Sequence, residues 1–158
     1  MAFQISGLAP QQFQHLFLLD DVALRARGID RHFADEALSF PCRVSLEDAA
    51  IGEELLLLNF AHIEGASPYQ ANGPIFVRRH ALRAPVFVDQ LPPMLDQAHR
   101  LFSVRSFDGA DRMIDAEVAS GAALHALLDN FLLNPAVDYL QVHFARRGCF
   151  AARVERHQ

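Results

Sequence analysis

The sequence contains no lysine, and all 14 of its Lys+Arg residues are arginine. That absence excludes Schiff-base lysine chemistry, a lysine general base and the lysine of a phosphate-binding P-loop. Anion recognition is left to backbone N–H groups and to arginine, a planar, forked and permanently charged donor. Cysteine is scarce too: Cys42 and Cys149 are the only two, too few for a disulfide framework. Both are expected reduced in a cytoplasmic protein. No window reaches the ~18 apolar residues that span a bilayer. Met1-Ala2-Phe3-Gln4-Ile5 lacks the basic start and long apolar run of a secretory signal. A net charge of −5 with scattered arginines gives no basic face for nucleic acid. Neither nucleic acid nor membrane is an expected partner, no cofactor is called for, and the oligomeric state stays open.

What is present reads as one globular domain over residues 1–158. At 51% hydrophobic and 21% charged, the chain has an ordinary core-forming composition. A domain of this length buries roughly 70% of the surface its unfolded chain exposes. Phe3–Ser6 reads as a strand, and Pro10 opens a helical stretch with Phe13, Leu16 and Phe17 on one stripe. Asp20 or Asp21 caps a short helix that Gly28 ends. Short strands are expected at Arg31–Ala34 and Cys42–Leu46. The four-leucine run within Glu54–Phe60 is bounded by Gly52 and by Gly65 with Pro68, which favours a central strand covered on both faces. Ile75-Phe76-Val77 repeats that pattern after a turn-rich loop, Ser67 to Pro74. Leu82–Gln97, with three prolines, reads as an ordered connection.

The second half can be tested against hairpin register. A five-residue loop, Asp108–Arg112, pairs Phe107 with Met113, Arg105 with Asp115 and Val104 with Ala116. Phe102, Val104, Ile114, Ala116 and Val118 then share one face, and Arg105 with Asp115 forms a cross-strand ion pair on the other. A three-residue turn, Arg146-Arg147-Gly148, places Leu140, Val142, Phe144, Phe150, Ala152 and Val154 on one apolar face. Tyr139, Gln141, His143, Cys149, Ala151 and Arg153 take the opposite face. Between the hairpins, Leu124, Leu127, Leu128, Phe131 and Leu132 are spaced as a helix, stopped by Asn134-Pro135. The expected fold is therefore α+β: a largely antiparallel sheet, a C-terminal β-β-α-β-β unit, and helices mainly on one face. The first half is expected to cover or extend the second sheet face, with a concave site between the halves.

Three segments carry the candidate chemistry. His143 beside Cys149 is the arrangement that activates a thiol nucleophile, and Arg153 would hold an anionic group. The structural alternative is a small buried cysteine, a hydrogen-bonded histidine and a salt-bridged arginine. Ser67, Tyr69 and Arg78 offer two hydroxyls and a guanidinium around a glycine-containing loop, against the alternative of a rigid turn. Arg43, next to Cys42, joins either group or is a plain strand residue. Cys42, His62, His143 and Cys149 lack any paired metal-ligand spacing, so no metal is assigned.

Those segments also carry a resemblance. Pro41-Cys42-Arg43-Val44-Ser45-Leu46 with Gly52-Glu53, Ser67-Pro68-Tyr69 with Gly73-Pro74-Ile75-Phe76-Val77-Arg78, and His143 with Gly148-Cys149-Phe150-Ala151-Ala152-Arg153-Val154 resemble three ordered motifs of bacterial domain-of-unknown-function family 1203. The third departs from the family's usual tyrosine at Phe150. The resemblance implies a stand-alone bacterial cytoplasmic protein and supplies no catalytic residues. Two functions follow as expectations. One is binding of a small anionic ligand, with or without catalysis, at Cys149, His143, Arg43, Ser67, Tyr69, Arg78 and Arg153. The other is a non-catalytic interaction module in which these residues fix the fold.

Overall fold

The computed structural model describes residues 2–158. Its elements run β1 (Phe3–Ser6), α1 (Asp21–Ala26), β2 (Asp30–Phe33), β3 (Glu54–Ile63), β4 (Ala71–Arg78), β5 (Val86–Val88), β6 (Leu101–Phe107), β7 (Met113–Ser120), α2 (Gly121–Leu132), β8 (Tyr139–Phe144) and β9 (Phe150–Arg156). Two 3₁₀ turns, Pro10–Gln12 and Gln14–Leu18, stand where the Pro10 helix was expected. The Asp20 carboxylate caps α1 by accepting from the Ala23 N–H, and Gly28 ends that region with φ of 71°.

The expected β-β-α-β-β half is present. It lies in a six-stranded sheet of order β5-β1-β9-β8-β6-β7 whose pairings are antiparallel. β8 is central and buried along its whole length. Leu124, Leu128 and Leu132 of α2 pack one face of this sheet against Phe102, Val104, Leu140 and Val142. Each such leucine contributes about 2 kcal/mol of burial. α2 begins in close contact with the 95–97 segment: a Cβ on Gly121 would sit 2.0 Å from the Gln97 carbonyl oxygen.

Rather than extending that sheet, the four-leucine strand β3 is the centre of a separate three-stranded sheet, β2-β3-β4. Leu56, Leu58, Ile75 and Val77 join Phe13, Phe17, Leu24 and Phe150 in a second core. α1 and the 3₁₀ turns thus belong to the second core, away from α2. Cys42–Leu46 is a tight loop and not a strand. Leu46 adopts φ of 58° and its N–H bonds back to the Cys42 carbonyl, leaving only isolated bridges Pro41–Asp48 and Cys42–Phe76. The alternation that suggested a strand there reflects burial of Cys42, Val44 and Leu46 in the two cores. Gly73 and Pro74, expected in the loop, lie inside β4.

A β-bulge makes His62 the extra residue between β3 and β4, and two more in the six-stranded sheet change which residues share a face. In the first hairpin Phe107 pairs with Met113 as expected, but Ile114 is an extra residue, so Asp115 lies opposite Ser106 and Ala116 opposite Arg105. Ala116 and Val118 therefore leave the core face, and the expected Arg105–Asp115 ion pair does not form. In the last hairpin Gln141–Arg153 and Val142–Ala152 keep the expected register, but Ala151 is extra and His143 lies opposite Phe150. The connection is a four-residue loop with Gly148 left-handed (φ 75°), closed by the Gly148 N–H to the Phe144 carbonyl. Phe150 thereby turns to the His143 face and Cys149 turns toward the α2 core. Bulges re-aim single side chains in this way beside functional sites.

Candidate functional site: a polar row between two sheets

On the sheet face away from α2, cross-strand pairing builds two polar rows. Arg105, Gln141 and Arg153 stand side by side on β6, β8 and β9. Ser103, His143 and Phe150 form the next row. The end of β3 lies over them. Gln141 Nε2 donates to the His62 carbonyl at 2.8 Å, and the His62 ring stacks on Phe150 at 5.3 Å.

That amide contact fixes the hydrogen-bond pattern. With Gln141 Nε2 committed, its Oε1 faces His62 Nδ1 at 2.9 Å and His143 Nε2 at 3.0 Å. A carbonyl oxygen only accepts, so both ring nitrogens carry the proton. Burial pushes His143 down to about 3, with Arg105, His62 and Arg43 adding to the effect and outweighing the opposing contact of Nδ1 with the Gly148 carbonyl at 3.4 Å. Burial also lowers His62, and Arg105 reinforces it against the Gln141 bond. Both imidazoles are therefore neutral at pH 7. Neutral His62 with its proton on Nδ1 holds an open lone pair on Nε2.

Arg105 is the unbalanced group. It is half-buried, and burial alone moves its guanidinium below the ordinary value; no carboxylate acts on it. Among the described residues its one protein bond is Nε to Ser103 Oγ at 3.3 Å. Its terminal nitrogens have no protein partner and are not sealed from solvent.

The residues expected from sequence are distributed differently. Arg43 is 1% exposed and serves as an interior cross-link, donating to the Phe150 and Pro41 carbonyls at 2.8 and 2.6 Å and to Cys149 Sγ at 3.1 Å. Its guanidinium also lies 5.0 Å from the Phe144 ring centroid. Cys149 is thus paired with Arg43, on the face away from His143, and the Cys149–His143 dyad is not assembled. Arg78 is consumed by Glu53, Glu47 and Ser45 at 2.6 to 3.1 Å. Burial pushes Glu53 up, but Arg78 and the Ala50 N–H more than offset it, leaving the carboxyl below its usual range. Ser67 donates to the Asp111 carbonyl at 2.7 Å, and Tyr69 lies edge-on to Phe107, so this loop fastens the small sheet to the β6–β7 turn. Arg153 lies 3.8 Å over the Tyr139 ring and pairs with Glu155. Of the expected set, His143 and Arg153 lie on the polar face. Arg43 and Cys149 meet at its end, and Ser67, Tyr69 and Arg78 are tied into the fold.

Sequence reasoning missed Gln141 as the hub and Arg105 as a free cation. Gln141 was visible as a polar residue flanked by core positions on a buried strand; Arg105 was masked by the expected Asp115 partner. Two shallow, open surface depressions lie beside α1 and β2 and at the β3–β4 turn, and neither is lined by these residues. Asp89, His125 and Asp129 bring ligand-type atoms within 4.8 Å of one another. Each imidazole nitrogen there faces a carboxylate, at 3.4 and 3.2 Å, the geometry of a clasp holding α2 to the segment after β5.

The sequence profile of the family described as "Protein of unknown function (DUF1203)" matches residues 39–156, most of the chain. The chain belongs to the DUF1203 family. The matched span holds β3 to β9, and hence all three bulges and all of the polar row. Searches among curated proteins and among solved structures each found no match. For this DUF1203 chain the geometry of its own residues carries the functional reading.

Proposed function

We propose that this protein binds a small organic anion on the polar face, with Arg105 as its anchor. The observation that carries the reading is the half-buried guanidinium of Arg105, which lacks a carboxylate and keeps its terminal nitrogens open. A desolvated guanidinium is a strong, forked partner for a carboxylate or phosphate. Neutral His62 offers an acceptor beside it, suited to a ligand hydroxyl or amide. Binding is favoured over thiol catalysis because Cys149 faces away from His143 and lacks a base. Arg43 and Arg78, candidates from sequence, are committed to internal acceptors and are not assigned to the ligand.

The test is an NMR titration of the imidazole Hε1 resonances with benzoate and with inorganic phosphate. Burial is the main cause of the lowered His62 midpoint and the Arg105 charge a smaller one; an anion on Arg105 cancels that Coulombic part, so saturation raises the His62 midpoint. Arg105→Gln abolishes that response while the spectrum stays folded. An unchanged His62 midpoint at saturating concentrations of both anions refutes the proposal.

A further inference from the structure

The middle of β7, from Ile114 to Val118, is exposed. Ala116 and Val118 lie directly opposite Arg105 and Ser103 and so share the polar face, yet Ala116 is exposed and Val118 is 57% exposed. The strip therefore borders the Arg105 guanidinium, which no carboxylate offsets. β7 is also an edge strand of its sheet. Its Ala116 and Val118 N–H groups are each occupied by the preceding side chain, Asp115 Oδ1 and Glu117 Oε1, both at 2.8 Å. An edge capped by its own carboxylates resists addition of another strand. A small ligand lying on the face suits this geometry better than a peptide or a second copy pairing along the edge.

The charge count narrows its chemistry. Arg153 is offset by Glu155, and both imidazoles of the site are neutral, so Arg105 supplies one net positive charge. One guanidinium with open terminal nitrogens pairs bidentately with one carboxylate and leaves a phosphate dianion half-compensated. We propose that the ligand is a monocarboxylate with a short apolar tail, the carboxylate forked on Arg105 and the tail lying over Ala116 and Val118. This deepens the reading of Arg105 as the anion anchor and rests on it. Two residues of strand advance roughly 7 Å, so the strip accommodates a tail of about five or six carbons.

The test titrates acetate, butyrate, hexanoate, octanoate and inorganic phosphate at constant ionic strength into the wild type, Arg105→Gln and Val118→Thr. Affinity is expected to rise about two- to four-fold per added methylene, the range for partial to full burial, and to level off near hexanoate. Phosphate binds more weakly than hexanoate. Val118→Thr keeps the β-branched shape at an exposed position; it is expected to leave acetate unchanged and to cost hexanoate at least three-fold. Equal affinity along the series, or phosphate binding tighter than hexanoate, overturns the tailed monocarboxylate while Arg105 remains the anchor. Loss of nothing in Arg105→Gln, or no binding by any probe, overturns both. A dimer in light scattering that Val118→Thr dissolves assigns the strip to a second copy and overturns the ligand assignment.

Discussion

His143 lends itself to a quantitative test because its environment sets both the sign and the size of a pH effect. The side chain is buried, donates from Nε2 to Gln141, and is held neutral with a midpoint of about 3 against an ordinary value of 6.5. The unfolded chain binds a proton that the folded chain refuses. The associated stability is therefore complete above pH ~6.5 and is lost as pH falls toward 3. Between pH 7 and pH 5 the linkage relation gives a loss of about 2 kcal/mol from this residue alone. His62, shifted the same way, adds to it. The assay is urea denaturation of the wild type and His143→Gln at pH 7 and pH 5. Gln retains a donor to Gln141 and does not titrate. Carboxylates such as Glu53 contribute equally to both proteins and cancel in the difference. The wild type is expected to lose about 2 kcal/mol more than the variant over this interval. Equal losses, or an NMR midpoint for His143 near 6.5, would falsify the buried neutral histidine.

Three further outcomes follow from the packing. Tyr139 is buried, and its hydroxyl donates to Asp111 Oδ1 at 2.6 Å, which together hold its ionisation well above pH 10. In Tyr69→Phe, whose only tyrosine is Tyr139, absorbance at 295 nm should show no phenolate at pH 11 while the protein remains folded, and a transition near 10 counts against that bond. Native-state alkylation followed by mass spectrometry should modify half-buried Cys149 and spare Cys42, which is 0% exposed, until denaturant is added; equal rates contradict the arrangement around Arg43. Leu128→Ala, in the core between α2 and the sheet, should cost 2–5 kcal/mol by urea denaturation, and a loss below about 1 kcal/mol means that α2 does not seal that core.

Much of the fold was legible because its signals are local. The Asp20 cap, the leucine spacing of α2 and the alternation of β6, β8 and β9 each report on a few neighbouring residues, and each element formed where it was expected. Cys42–Leu46 misled because burial in two cores produced strand-like alternation without strand pairing. The candidate site was only half legible. His143 and Arg153 follow from the alternation of the last hairpin, but Arg105 looked paired and Cys149 looked like a neighbour of His143.

Sequence by itself determined the chemical inventory, since a chain without lysine must hold any anion with arginine or backbone N–H groups. It also determined the α+β class and the two-faced character of the C-terminal strands. Tertiary structure alone decided that Arg105, half-buried on the polar face, has no carboxylate partner. A bulge costs little locally and leaves no mark in a two-residue alternation. Its place is chosen by packing: Phe150 is drawn against Phe60 and His62 in the second core, which reverses Cys149. The extra Ile114 likewise carries Asp115 away from Arg105. Of the 14 arginines, those named by motif are spent inside the fold or beside Glu155, and Arg105, half-buried on the polar face, owes its lack of a carboxylate partner to a single inserted residue.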